Sequence, residues 1–308
     1  MLSPNVLHSL ISDVPEMELK WREPLARYTT FRVGGPVLCL ARPRTEDALI
    51  GLVRKLREHD VPYFILGGGS NVLLPDDQMN VVAIQLDLCS AKVVLKGKPE
   101  NSQARASVGA GVRLPRLLRY TLHKGLGGLE FFVGIPGTVG GALIMNAGTR
   151  DGTISDVLLS IDILDEKNQR RRVPRLDLSP GYRSMGLPDD WVIFGCCLGV
   201  KPRADVNQRA RLFEMIQERK KSQPLGWPSA GCVFKNPQGF AAGALIEKAG
   251  LKGFRIGDAE VSPKHANWII NRGRARARDV IALIEHIENR VERDCGIRLE
   301  REIRIVGP

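Results

Sequence analysis

The spacing of hydrophobic residues predicts two long helices and a strand that ends in a glycine cluster. In residues 45–59 apolar side chains recur every three or four positions, as on one face of a helix, and Thr45 is placed to cap the first turn. Residues 61–66 (VPYFIL) are rich in β-formers and stop at a run of glycines, which indicates a strand entering a loop. A second helix is predicted over 279–292, followed by Gly296. Its apolar stripe consists of Val280, Ile284, Ile287 and Val291.

Shorter patterns occupy the middle and the end of the chain. They predict strands at residues 72–74, 81–86, 104–108, 160–164 and 191–200, and helices at 114–122 and 206–221. Residues 298–306 alternate between apolar and charged side chains and predict a closing strand, in which Glu300 and Glu302 share one face with Cα atoms about 7 Å apart. Spacing alone favours a solvated charged face there. Helices and strands are mixed throughout, so the predicted fold class is α+β.

Two glycine-rich stretches are the first candidates for binding chemistry. The stretch 67–71 (GGGSN) is followed by the apolar run 72–74 and a turn, so no helix opens after it. Rossmann and Walker loops lead into a helix that holds phosphate, and neither of their glycine patterns is present. The stretch 134–141 mixes glycines with apolar residues, as expected where a backbone lies close to a ligand. A buried turn would explain it equally well.

The composition is that of a globular enzyme without a membrane span. The 308 residues are 43% hydrophobic and 26% charged, which are ordinary values, and the length suggests two or three compact units. No apolar stretch approaches the roughly 20 residues of a membrane helix. The first 20 residues carry acidic side chains and no long apolar core, unlike a signal peptide, so a cytoplasmic location is predicted.

Charge and metal-ligating residues narrow the possible functions. The net charge of +11 favours anionic ligands of any kind. The basic runs 170–172 and 219–221 lack interleaved aromatic residues and no nucleic-acid-binding motif is present, so we predict solvated faces rather than a nucleic-acid surface. The chain has six cysteines, at 39, 89 (Cys89), 196, 197, 232 and 295, and no two of them form a C-x-x-C pair. Its five histidines include no H-E-x-x-H motif. We therefore predict neither structural disulfides nor a metal site.

Seven motifs in order resemble the UDP-N-acetylenolpyruvoylglucosamine reductases (MurB). They are TFRVGG at 30–35, GGGSNVL at 67–73, GIPGTVGG at 134–141 continuing to NAG at 146–148, GYRS at 181–184, AGCVFKNP at 230–237, AGLKG at 249–253 and LEREI at 299–303. The resemblance implies a two-part FAD-binding region of the p-cresol methylhydroxylase type and a C-terminal α+β substrate domain. The implied divisions are 1–80, 81–201 and 202–308, and the polar helix predicted after residue 202 independently suggests the last boundary.

The resemblance also implies a reaction. NADPH, as co-substrate, would reduce FAD, and a hydride would then pass to C3 of the enolpyruvyl ether on UDP-N-acetylglucosamine, with a proton added at C2 to give UDP-N-acetylmuramate. Arg183 matches the arginine that stabilises the enolate, and Glu302 matches a glutamate that assists the enolate or the proton transfer. Glu300 is then a structural neighbour. The substrate is a small nucleotide sugar, and no obligate protein partner is implied.

Cys232 lies where the best-known members of the family carry a serine that protonates C2. A thiol has a reference pKa of about 8.5 and stays mostly protonated near neutral pH, so it can serve as the donor. A small buried apolar residue is the alternative interpretation. The G-[SC]-x-F-K-N-P frame selects Cys232 rather than Ser229.

The remaining implied contacts concern the nucleotide and the cofactor. Tyr182, Lys235 and Asn236 are the implied substrate-binding residues, and since no tyrosine follows Tyr182 the chain resembles the second subclass, which lacks a tyrosine loop over the nucleotide. The implied cofactor-binding residues are Gly67, Gly68, Gly69, Ser70 and Asn71, whose N–H groups would surround the pyrophosphate, and Gly134, Ile135, Pro136, Gly137, Thr138, Gly140 and Gly141 beside them. Neither stretch contains histidine or cysteine, so FAD is expected to bind non-covalently.

Two alternatives and one further possibility stay open. An oxidase or dehydrogenase on the same FAD fold would not need the 231–237 loop, and a basic nucleic-acid-binding protein would not need two glycine stretches. Four arginines alternate along residues 272–278. They form either a solvated turn or a contact for the 2′-phosphate of NADPH.

Overall fold

The computed structural model describes residues 4–87, 92–96, 104–202 and 208–307, with the side chains of 208 and 209 left out. Cys89 and the first two residues of the helix predicted at 206–221 lie outside these ranges. The chain forms two compact units. Unit 1 comprises residues 1–21, 39–68 and 81–216, and unit 2 comprises 22–38, 69–80 and 217–308. The three-part division 1–80, 81–201 and 202–308 is finer than this and stays a prediction.

Unit 1 is built mainly on two sheets. The first has the order β1-β2-β5-β3, with strands at Met17–Pro24, Pro36–Pro43, Met79–Gln85 and Tyr63–Leu66. The second is antiparallel with the order β12-β11-β13-β7-β6, with strands at Arg170–Pro174, Leu158–Leu164, Val192–Gly199, Arg105–Gly109 and Val93–Lys96. Two short pairs join β8 (Leu126–Gly127) to β14 (Lys201–Pro202) and β9 (Gly148–Thr149) to β10 (Gly152–Thr153).

Six α-helices within the described ranges belong wholly or partly to unit 1. They are α1 (Pro4–Ile11), α2 (Glu46–Glu58), α3 (Leu114–His123), α4 (Val139–Ile144), α5 (Ile154–Val157) and α6 (Gln208–Ser222), which continues into unit 2. The prediction for α2 is confirmed, because Thr45 Oγ1 accepts a hydrogen bond from Ala48 N at 3.2 Å and the apolar face is buried. Helix α4 was not predicted. It begins inside the second glycine stretch, where Thr138 caps it by accepting a bond from Gly141 N.

Unit 2 packs two helices against a four-stranded antiparallel sheet. Its order is β15-β18-β17-β16, with strands at Ser229–Cys232, Trp268–Asn271, Ala259–Val261 and Arg255–Ile256. The helices are α7 (Ala242–Lys248) and α8 (Ala277–Cys295), and their buried faces share one apolar core with the sheet. The prediction for α8 is confirmed, including Gly296 at its C-terminus with φ of +67°.

The predicted closing strand at 298–306 is wrong as a continuous element. Only β19 (Arg304–Ile305) is a strand, and it pairs in parallel with β4 (Val72–Leu73). Before it, the backbone bonds to another segment: Glu302 N and Ile303 N both donate to Val233 O, and Lys235 N donates to Glu300 O. The segment therefore changes partner at residues 303–304, and no single ladder can include all of it.

Among the helices in the described ranges, none combines the length and the apolar content that crossing a bilayer requires.

Candidate active site

The two glycine stretches lie against each other in unit 1, although about seventy positions separate them. A Cβ atom on Gly68 would lie 2.5 Å from Gly137 Cα, and one on Gly67 would lie 2.7 Å from Thr138 Oγ1. The second stretch is fixed by bonds from Leu114 N to Gly137 O at 3.0 Å and from Gly140 N to Ala110 O at 2.9 Å. Only glycine permits this approach at 67 and 68, because any Cβ would overlap the opposite stretch.

The first stretch continues into unit 2 at Gly69, where it is anchored again. Gly69 has φ of +61°, and a Cβ there would lie 2.0 Å from Tyr28 O. Its carbonyl accepts a hydrogen bond from Thr30 N at 2.9 Å. Asn71 O accepts from Arg304 N at 3.0 Å, and Asn71 Nδ2 donates to Glu302 O at 3.1 Å. Among the described residues, the bonds that hold the stretch are made by groups other than its glycine N–H groups.

These residues fit an FAD pyrophosphate. Within the part of the chain that the structure describes, no protein acceptor takes a hydrogen bond from the N–H groups of Gly67, Gly68 or Gly69. Backbone N–H groups are rarely left without a partner, and successive glycine N–H groups form concavities that bind anions. A fixed loop with available donors and no side chains is therefore suited to hold a diphosphate.

Arg183 lies on a short turn of unit 1. Gly181 and Ser184 form a bridge across the turn, and Asn146 Nδ2 donates to Gly181 O at 3.0 Å. Arg183 has φ of +57°, an uncommon conformation for a residue other than glycine and one that is frequent at functional sites. Its guanidinium carbon lies 5.1 Å from the ring centre of the exposed Tyr182. The 146–148 motif therefore supports the arginine turn.

Cys232 and Glu302 come together in unit 2. Cys232 ends β15, opposite Trp268 of β18, after a break in register that includes Gly231 at φ of +80°. The next residue, Val233, accepts hydrogen bonds from Glu302 N at 2.7 Å and Ile303 N at 3.2 Å. Two of the three predicted catalytic residues are therefore one backbone contact apart, whereas Arg183 belongs to unit 1.

Cys232 differs from the buried cysteines of unit 1. Burial raises the pKa of the Cys39 thiol to about 12, and it shifts the pKa of Cys196 in the same direction. Cys39 is fully buried and Cys196 nearly so, whereas Cys232 is half-buried. Of these three cysteines, only Cys232 is partly exposed. The five cysteines in the described ranges form no disulfide, and no group of metal-ligating side chains occurs there.

Lys235 and Asn236 follow Cys232 on the same loop. The ammonium of Lys235 pairs with the carboxylate of Glu300. Asn236 Oδ1 accepts a hydrogen bond from Ala242 N at 3.0 Å, at the first turn of α7. Glu300 therefore orients Lys235, and the carbonyl oxygen of Asn236 has a structural use that the sequence did not reveal.

Unit 2 also contains a groove that the sequence analysis missed. It encloses about 460 Å³. Its lining includes Trp227, Arg272, Lys220 and Lys264. The Arg272 guanidinium carbon lies 4.1 Å from the centre of the Trp227 ring, and Arg272 Nε lies 3.3 Å from Glu260 Oε2. An aromatic face beside two lysines suits an anion that carries a planar ring. The aromatic Trp227 five residues before Cys232 was the signal available in the sequence.

The arginine run at 272–278 leads into helix α8. Its backbone N–H groups are bound by acidic side chains: Asp258 accepts from Arg274 N at 2.9 Å, and Asp76 accepts from Ala277 N at 2.7 Å and Arg278 N at 3.1 Å. All four arginines are exposed, whereas Ala275 and Ala277 between them are buried. This supports the interpretation as a solvated turn for Arg274, Arg276 and Arg278, whereas Arg272 packs on Trp227 and pairs with Glu260.

His265 provides a pH-dependent contribution to stability. Burial is the largest cause that lowers its pKa from the ordinary 6.5, since it disfavours the imidazolium in the folded chain. The unfolded chain therefore takes up a proton first, so this contribution is complete above pH 6.5 and is lost as the pH falls through the lowered folded value. We expect His265→Gln to flatten the fall in unfolding free energy between about pH 7 and pH 5, measured by urea titrations. An unchanged slope would contradict this.

Comparison with known proteins agrees with this geometry. A family model described as an FAD binding domain matches residues 37–173. Together with the paired glycine stretches, it defines the chain as an FAD-dependent oxidoreductase of α+β fold. A second model, the C-terminal domain of UDP-N-acetylenolpyruvoylglucosamine reductase, matches residues 223–306. The chain belongs to the UDP-N-acetylenolpyruvoylglucosamine reductase family, which confirms the resemblance seen in the sequence.

The similar proteins cover nearly the whole chain. A UDP-N-acetylenolpyruvoylglucosamine reductase of Syntrophobacter fumaroxidans is 53% identical over 97% of this chain and 87% of its own length. One of Moorella thermoacetica is 41% identical over 95% of this chain and 94% of its own. The crystal structure of the Thermus caldophilus enzyme (MurB) has a TM-score of 0.77 and 36% identity, and it covers 94% of this chain and all of that one.

Proposed function

We propose that the protein reduces UDP-N-acetylglucosamine enolpyruvate to UDP-N-acetylmuramate, with NADPH as the reductant and non-covalent FAD as the cofactor, in the synthesis of peptidoglycan precursors. The observation that carries the proposal is the backbone contact that joins Glu302 to the residue after Cys232, in a chain of this family. When bound, FAD would supply the hydride-transfer chemistry between NADPH and the substrate. The remaining steps depend on residues of the chain.

Arg183 would stabilise the charge that develops on the substrate. When a hydride adds to C3, the C2–C3 π electrons move onto C2 and the carboxylate, where they form an enolate. A guanidinium offers two parallel N–H groups to such a carboxylate, and a preorganised donor of this kind is typically worth about 10²–10³ in rate. Support comes from the turn at 181–184, which holds Arg183 with a positive φ.

Cys232 would complete the reaction by protonating C2. The S–H bond breaks, the proton forms the new C–H bond at C2, and the enolate electron pair becomes that bond, while the thiolate left behind takes a proton from water. Glu302 would assist the enolate or the proton transfer from its place beside the Cys232 loop. Three roles thus fall on three residues, Arg183, Cys232 and Glu302.

The nucleotide would be held by the loop after Cys232 and by the groove of unit 2. Lys235 and Asn236 lie three and four positions after Cys232, and Tyr182 precedes Arg183 in the other motif. Trp227 and its neighbouring cations offer a stacking face and positive charge for a uridine diphosphate. Because the chain lacks the tyrosine loop, this groove is our candidate for the surface that covers the nucleotide.

We also propose that the protein works in the cytoplasm, which is supported by the absence of disulfides among its described cysteines, and that it needs no obligate protein partner. We further propose that the chain divides into two FAD-binding subdomains, 1–80 and 81–201, and a substrate-binding domain, 202–308.

The test is a two-step anaerobic experiment. The purified yellow protein is first reduced with NADPH, and UDP-N-acetylglucosamine enolpyruvate is then added. Rapid return of the flavin absorbance, with UDP-N-acetylmuramate formed in equal amount, is the expected result. Reoxidation by oxygen or by a sugar, but not by the enolpyruvate, would favour the oxidase alternative.

A further inference from the structure

The side chain of Asn267 binds the loop that carries Cys232. Asn267 is 3% exposed. Its Oδ1 accepts a hydrogen bond from Phe234 N at 2.9 Å, and its Nδ2 donates to Phe234 O at 2.8 Å. Its main-chain O accepts from Val233 N at 2.8 Å. The amide thus presents to Phe234 the donor and acceptor that a neighbouring strand would present, where β15 itself has ended at Cys232.

The same loop is bound on its other side by the segment of Glu302. Val233 O accepts from Glu302 N and Ile303 N, at 2.7 and 3.2 Å. The loop depends on these hydrogen bonds because regular strand pairing stops before it. The register breaks between Ser229 and Cys232, and Gly231 has φ of +80°. Asn267 on one side and residues 302–303 on the other therefore fix the backbone that follows the thiol.

We propose that Asn267 is a positioning residue for the known family reaction, holding the Cys232 thiol at the place from which it protonates C2. The inference rests on the proposed function of Cys232. A general acid must lie within hydrogen-bond reach of the atom that it protonates, and a displacement of about 1 Å can cost 10²-fold in rate. The hydrogen bonds that Asn267 makes with Phe234 and Val233 set the distance between the Cys232 thiol and C2 of the substrate. Asn267 acts through the loop and not on the reacting atoms.

Asn271 offers a matched control at the end of β18, the strand that Asn267 directly precedes. It is also 3% exposed. Its Nδ2 donates to Phe31 O at 3.1 Å, and its Oδ1 accepts from Gly273 N and Ala275 N at 2.9 and 3.0 Å. It therefore has the same chemistry and burial as Asn267, but none of these bonds reaches residues 232–234. A variant at Asn271 reproduces the loss of buried amide bonds without releasing the Cys232 loop.

The experiment compares Asn267→Ala with Asn271→Ala in two measurements on the FAD-loaded protein. The first is stopped flow of each half-reaction. We expect Asn267→Ala to slow reoxidation by the enolpyruvate substrate by about tenfold or more, with reduction by NADPH almost unchanged. For Asn271→Ala the ratio of the two rates should stay that of the unmodified protein. The milder Asn267→Ser is measured in the same way if Asn267→Ala does not fold.

The second measurement is the rate of carbamidomethylation of Cys232 by iodoacetamide, resolved by peptide mass spectrometry. It requires no turnover. We expect an increase of about threefold or more in Asn267→Ala, because the released loop opens locally, and no increase in Asn271→Ala. Equal alkylation rates in both variants and in the unmodified protein, or a parallel loss of both half-reactions, would overturn the role of Asn267. Failure of the unmodified protein to react with the enolpyruvate would instead overturn the proposed function.

Discussion

Replacing Cys232 by alanine is expected to lower the rate of product formation by roughly 10²- to 10⁴-fold, the usual contribution of a general acid. Cys232 is half-buried and ends the strand that leads into the loop contacting Glu302. Without it, C2 of the substrate would have to take its proton from water. Reduction by NADPH involves no proton transfer to C2, so that half-reaction should keep its rate. Stopped-flow absorbance at the flavin band, with product quantified by chromatography, separates the two.

Cys232→Ser is the control, because it restores the residue of the best-known relatives. A hydroxyl can also donate a proton, so turnover should persist while inhibition by iodoacetamide disappears. The unmodified protein should lose turnover at alkaline pH, because a thiolate cannot donate a proton, and the serine variant should not show this loss. Product formation by Cys232→Ala at the normal rate would show that another group is the acid.

Replacing Gly68 by alanine is expected to weaken FAD binding. The new Cβ would lie 2.5 Å from Gly137 Cα, a backbone atom that no rotamer change can move aside. Overpacking of this kind costs about 1–3 kcal/mol, so FAD affinity should fall by roughly 5- to 160-fold as the two stretches separate. Flavin content after gel filtration and the dissociation constant from fluorescence titration are the measurements.

Gly199→Ala is the matched change elsewhere in unit 1. Its Cβ would meet nothing closer than Val157 O at 3.6 Å and Leu159 Cδ2 at 3.8 Å, which are ordinary contacts. FAD affinity should therefore stay normal. If Gly68→Ala retains full flavin content, the close packing of the two stretches does not determine cofactor binding.

Local elements were predictable from the sequence because local interactions determine them. Helix α2 is an example, because its cap at Thr45 and its apolar stripe are formed by residues that are close together in the sequence. The same holds for α8 and for the strand that enters the first glycine stretch. The family motifs could also be recognised from the sequence, because each is a contiguous run of residues and the runs follow one another in the family order.

What the sequence could not reveal depends on distant partners. The closing strand failed because residues 302–303 bind Val233 whereas Arg304 binds Asn71, and alternation of side chains carries no information about a change of partner. The role of Asn267 could not be predicted for the same reason. It is a single amide at the start of an apolar run, and its hydrogen-bond partner, Phe234, lies 33 positions away. Asp76, which accepts a hydrogen bond from Ala277 N at the start of α8, lies 201 positions before that residue.

The way the backbone alternates between the compact units constrains how the protein can be made and dissected. It passes from one unit to the other after residues 21, 38, 68, 80 and 216. During synthesis, residues 22–38 and 69–80 must wait for the final 92 residues, 217–308, before their own unit can be completed, which delays folding and exposes apolar surface to chaperones. No single proteolytic cut or truncation can yield either unit intact, so fragments are a poor substitute for the full chain in crystallisation or screening.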